Sequence, residues 1–221
     1  MKKSLTLIAI ITSLAYNVVA QKITYAASAG VSYANTFIRV KDLNNKWLAP
    51  EGLGSKIGFM GGISANIPFS KLFSFQPGIN YLQKGFKREE EGVKTALKLD
   101  YIEVPLNIMF NTRNKDNDRK ADDFFFGIGP SIAFGTSGKV EFRDDTSQVS
   151  ENVKFGSGDD DHIKRVDLGA NIVMGCMFFN NFFFSINYNM GLSNLSGEKD
   201  IRWKNNYLGF KVGYSFGGKR K

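Results

Sequence analysis

Residues 182–192 read FFFSINYNMGL, and this stretch decides the fold. Phe182, Phe184, Ile186, Tyr188, Met190 and Leu192 fall on one parity, and Phe183, Ser185, Asn187, Asn189 and Gly191 on the other. Successive side chains of a strand point to opposite faces, so the segment has one apolar face and one mostly small, polar face. Two architectures present such a strand: an antiparallel sheet on a soluble core, or a barrel wall with lipid outside and a polar lumen.

Outward from this stretch the same alternation recurs near 23–35, 56–67, 72–86, 97–110, 124–134, 165–178 and 207–216. A soluble sandwich or lipocalin buries its large apolar side chains. The large side chains on these strands exceed what so narrow an interior holds, whereas the Gly, Ser, Ala and Asn face fits it. Closure also removes unpaired edges, which hydrocarbon does not tolerate. The expected fold is therefore all-β: an eight-stranded antiparallel transmembrane β-barrel of the outer-membrane type. Composition agrees, with 20 Phe, 23 Gly and 5 Pro in 221 residues.

The connections alternate in length. PFSK (68–71) and the Asn180-Asn181 pair are short, while 36–55, 87–96, 136–162 and 194–205 are long. Short periplasmic turns and longer extracellular loops are the habit of such barrels, so both termini are expected in the periplasm. The segment 111–123 is long for a periplasmic turn.

The first twenty residues read as a cleavable signal peptide. Lys2 and Lys3 precede the apolar run LTLIAIITSLA, and Val18-Val19-Ala20 supplies small residues before Gln21. The expected organisation is a signal peptide at 1–20, the barrel at 21–216 and a basic tail at 217–221. The single cysteine, Cys176, excludes lipid attachment at the cleavage site and an internal disulfide. Net charge is +8, but the basic residues are spread over loops and tail with no RNP motif or helical stripe, so nucleic acid is not an expected partner.

An early GVSYANTF strand, DYIEVPLNIMF in mid-chain, FFFGIGPSIAFG after it and a last strand YLGFKVGYSF together resemble the PorT-like outer-membrane β-barrel proteins of Bacteroidetes. Tyr-Ile-Glu-Val-Pro-Leu at 101–106 is the most specific piece. The resemblance implies localisation in the cell outer membrane, with lipid, lipopolysaccharide and the insertion machinery as partners. Its namesake's association with type IX secretion makes secretion-system proteins a further candidate partner. Barrels commonly end on an aromatic residue read by the insertion machinery, which assigns that signal to Tyr214 and Phe216, ahead of GGKRK.

Lys56, Glu103, Arg165, Asp167 and Lys211 fall on the inward parity and form the expected polar network of the lumen. Glu103 and Lys211 lie at similar depth and are expected to couple, because an unpaired buried charge is costly. His162, the only histidine, follows Asp159-Asp160-Asp161 in a loop. A lipid-modifying Ser-His-acid site is the enzymatic alternative, but no GxSxG or zinc-type spacing supports it. The acidic run lacks EF-hand spacing, and with Glu89-Glu90-Glu91 it reads as solvated loop. No catalytic residue, cofactor or metal is expected, and the role is structural or interactive. Phe73, Phe110, Phe124, Phe182, Tyr207 and Phe216 read as interfacial aromatic girdles, and Cys176 as lipid-facing.

Overall fold

A computed structural model describes residues 23–90, 92–112, 123–144, 147–156, 163–178 and 180–217. The signal peptide at 1–20, the Asp159–Asp161 run, His162, most of 111–123 and most of the basic tail lie outside them. Among the described residues ten strands form one antiparallel sheet: β1 (Thr24–Lys41), β2 (Trp47–Leu48), β3 (Leu53–Pro68), β4 (Phe73–Glu90), β5 (Val93–Asn111), β6 (Asp123–Arg143), β7 (Gln148–Asn152), β8 (Val166–Met177), β9 (Phe182–Gly191) and β10 (Ile201–Phe216). β2 pairs only with β1 and β7 only with β6. The other eight follow one another in chain order, and β10 returns to β1 from Tyr25↔Phe216 to Val40↔Ile201. That pairing closes the ring, as the eightfold alternation requires.

Both described chain ends lie at the rim that also carries the short turns 69–72 and 178–181; we call it the terminal end, and the opposite rim the loop end. The outward parity is apolar over a belt that includes 73–81, 102–110 and 124–134. These stretches match the length of about 9–11 residues that a tilted strand needs to cross hydrocarbon. Ile57, Phe59, Ile63, Phe124 and Val212 are each more than 60% exposed there. An outer surface of this kind suits lipid, not water. Aromatic rings edge the belt at the terminal end: Phe73 lies 5.5 Å from Phe110, and Tyr214 lies 5.1 Å from Phe182 and 4.9 Å from Phe216.

Three expectations change. Among their described residues, the segments expected as loops carry strand: 36–41 and 53–55, nearly all of 87–96, 136–143 with 148–152, and 201–205. β4 and β5 run to Glu90 and Val93, and β6 continues to Arg143 before turning into β7. Beyond the belt the outer face meets water and needs no large apolar residues, so the alternation fades although the backbone ladder continues. Second, the lumen is not small and polar throughout. In the loop half the pattern inverts: Leu82, Leu97, Leu99 and Tyr101 point inward and are buried, while Lys87, Lys94, Lys98 and Lys139 stand outside. Here the barrel is built like a soluble one. Third, Tyr207 is not in a girdle; it is buried in the lumen at 2% exposure.

Candidate functional site: the lumen and its plug

The lumen has three layers. At the loop end, Phe155 and Ile163 from the segment after β7, and Leu195 from the β9–β10 connection, fold inward onto Leu82, Leu97, Leu99 and Tyr101. The Phe155 ring stands edge-on to Tyr101 at 5.8 Å. It fits because Gly135 carries no side chain, where a Cβ would strike the ring; a Cβ at Gly138 would strike Val153 and Leu99 beside it. Arg165 donates from Nη2 to the Phe155 carbonyl at 3.0 Å, and Lys164 donates to the Asn194 carbonyl at 3.4 Å. These bonds tie the plug to the rim. Arg165 is thus an exposed residue just before β8, outside the luminal network assigned to it from parity.

The middle layer is ionic. Lys84 Nζ donates to Asp167 Oδ2 at 2.9 Å, with both side chains 1% exposed. Ser193 Oγ donates to Asp167 Oδ1 at 3.2 Å. The ammonium also lies 4.9 Å from the Tyr101 ring centre and 5.5 Å from that of Tyr207, within cation–π range. Asp167 therefore pairs with a lysine that the sequence reading passed over. The signal was present: Lys84 shares its parity with Ser74, Gln76, Gly78 and Asn80 on the same strand.

Glu103 lies in this layer too, and its charge acts on Lys211. No ion pair joins them within 4 Å among the described residues; instead Tyr207 donates its hydroxyl to Glu103 Oε1 at 2.7 Å. Glu103 Oε2 has no hydrogen-bond partner there, nor has Asn171 Oδ1. Lys56 is remote from this network. It lies beside Gly85, where its charged neighbours are Lys87, Lys98, Asp100 and Glu141. A bulge between Ser55 and Met60 displaces it by inserting an extra residue into β3.

The third layer, toward the terminal end, is polar and hollow. A cavity of about 100 Å³ is lined by Ser28, Asn66, Asn80, Asn107, Asn187 and Lys211, among others. The motif at 101–106 threads all three layers: Tyr101 in the plug, Glu103 in the ionic layer and Pro105 at the cavity.

Outside the wall, just beyond the belt, Asp100 collects donors. Tyr81 OH and Ser137 Oγ each lie 2.7 Å from its carboxylate, and Gln83 Nε2 lies 3.0 Å away. Burial by itself would raise its pKa, but these hydrogen bonds and the charge of Lys98 outweigh it and hold the carboxyl below its ordinary value. Among the described residues no three His, Cys, Asp or Glu side chains group as metal ligands.

A closed antiparallel ring with an apolar outer belt, aromatic edges and a polar layer within it defines a transmembrane β-barrel. The chain belongs to the outer membrane protein β-barrel domain family, whose model matches residues 19–197. The match ends just before β10, the strand that completes the ring. Among solved structures, the outer membrane protein OprG from Pseudomonas aeruginosa is similar at a TM-score of 0.50 and 9% identity, over 88% of this chain and 96% of that one. The attachment invasion locus protein Ail of Yersinia pestis aligns at 17% identity over 89% of this chain and all of its own, with a TM-score of 0.37. Neisserial surface protein A aligns at 13% identity over 86% and 96% of the two chains, with a TM-score of 0.43. No curated protein matches the sequence. The protein is an outer-membrane β-barrel.

Proposed function

We propose that this protein is a non-conducting, non-enzymatic barrel with a structural or interaction role, whose contact surface is the wall that rises beyond the belt. The observation that carries this reading is the plug. Phe155, Ile163 and Leu195 close the loop end with buried apolar side chains, and the Lys84–Asp167 pair lies directly beneath. What remains for a partner is the outer surface of β4 to β7. Every residue of β7 is exposed, and its pairing is with β6 alone. Residues on a projecting hairpin held by a rigid scaffold are well placed for binding.

In this proposal residues 1–20 are removed on export and the terminal end faces the periplasm, so the β6–β7 hairpin faces outward. Lipid and lipopolysaccharide surround the belt, and Tyr214 and Phe216 are read by the insertion machinery. The finer resemblance to the PorT-like proteins of Bacteroidetes, and with it a place beside a secretion apparatus, rests on 101–106.

Two measurements test the reading. The purified barrel in a planar bilayer should show no discrete conductance steps; steps of defined size would refute a sealed lumen. A Ser150→Cys substitution in a Cys176→Ser background should react with an impermeant maleimide on intact cells. Labelling only after envelope disruption would reverse the orientation.

A further inference from the structure

The charged groups of the lumen are unevenly matched. Lys84 has Asp167 at 2.9 Å, and Glu103 takes the Tyr207 hydroxyl. Lys211 has neither an ion pair within 4 Å nor a hydrogen bond among the described residues; the charge of Glu103 acts on it only from farther off, and it lines the cavity below. Its cross-strand neighbours there are Gly30 and Ser185. A cation inside a narrow wall, shielded from bulk water, favours a counter-ion strongly.

Two of the surrounding amides, Asn107 and Asn187, present donors, while Asn111 is turned the other way, its Nδ2 donating to Ser74 Oγ at 3.3 Å. Asn107 uses its Oδ1 to accept from Asn171 Nδ2 at 3.0 Å, and Asn187 uses its Oδ1 to accept from Ser185 Oγ at 3.3 Å. With both carbonyl oxygens engaged, the two NH₂ groups remain as donors, and neither has a partner among the described residues. No carboxylate lines the cavity. An ammonium and two amide NH₂ groups, with serine hydroxyls beside them, match the lone pairs of an oxyanion and repel a cation. At about 100 Å³ the space is several times the roughly 10–15 Å³ that one water needs, so it holds a small group of atoms. Thr24, Asn111 and Ser215 continue the lining to the terminal end, while the ionic layer and plug block the other way.

We propose that the terminal half of the lumen is a binding site for a small oxyanion, a carboxylate or phosphate group, held by Lys211, Asn107 and Asn187 and entered from the terminal end. The site requires no conduction through the barrel.

The test is calorimetric titration of the full mature barrel in a non-ionic detergent with sodium phosphate and with sodium acetate, against sodium chloride at equal ionic strength. At least one of the two oxyanions should bind saturably where chloride does not. Lys211→Met should weaken that binding at least tenfold, and Lys211→Arg should keep it within a few fold. Heat-modifiable migration on gels establishes that each variant is folded. Glu103→Gln removes the nearest negative charge and should leave binding unchanged or tighter. The proposal is overturned if neither oxyanion exceeds chloride, if folded Lys211→Met binds as the wild type does, or if Glu103→Gln abolishes binding.

Discussion

The Lys84–Asp167 pair can be broken in two unequal ways. Both side chains are 1% exposed and 2.9 Å apart, and losing one member of such a pair typically costs about 3–5 kcal/mol. In Asp167→Leu the stranded ammonium keeps the faces of Tyr101 and Tyr207, at 4.9 and 5.5 Å. A desolvated cation–π contact contributes roughly 0.5–2 kcal/mol, so this variant should fall at about 3 kcal/mol, the low end. In Lys84→Met the stranded carboxylate keeps only the Ser193 hydroxyl at 3.2 Å. That loss should approach about 5 kcal/mol. The double variant Lys84→Met/Asp167→Leu leaves no buried charge and should be more stable than either single one, because well-packed apolar replacements of buried pairs are often neutral or better. Urea unfolding of the barrel in detergent micelles, followed by tryptophan fluorescence, measures all four corners of the cycle. Additive losses from the two single variants would show that the charges do not depend on one another. A larger loss for Asp167→Leu than for Lys84→Met would refute the role given to the tyrosine rings.

Two further outcomes follow from the rim. Phe155→Ala should destabilise the barrel by about 3–5 kcal/mol, the usual loss for a buried phenylalanine; a change under about 1 kcal/mol in the same urea assay would mean that the plug packs only loosely. Asp100 has a depressed pKa, so its contribution is fully present above the carboxylate's unfolded value and is lost as pH falls through the lower folded one. Asp100→Asn should therefore flatten the acid limb of the stability profile, and an unchanged profile would remove the Tyr81–Asp100–Ser137 cluster as its cause.

The sequence by itself determined the wall. Alternation of the kind seen at 182–192 is set by the strand's own geometry and repeats wherever one face meets lipid, so eight strands and the apolar belt were legible without coordinates. Where the outer face leaves lipid, that constraint ends. Hence the extension of β4 and β5 beyond the belt, and the packing of Leu97 and Leu99 under a plug, came from the tertiary structure. The luminal partners were decided there as well. Parity states that Glu103, Asp167 and Lys211 point inward, but which groups meet depends on strand stagger around a closed ring. That stagger joins Lys84 to Asp167 across 83 positions and Tyr207 to Glu103 across 104. A bulge in β3 displaced Lys56, and a segment after β7 supplied Phe155 to the plug. Side-chain direction is a local property of a strand; pairing across a lumen is a property of the ring.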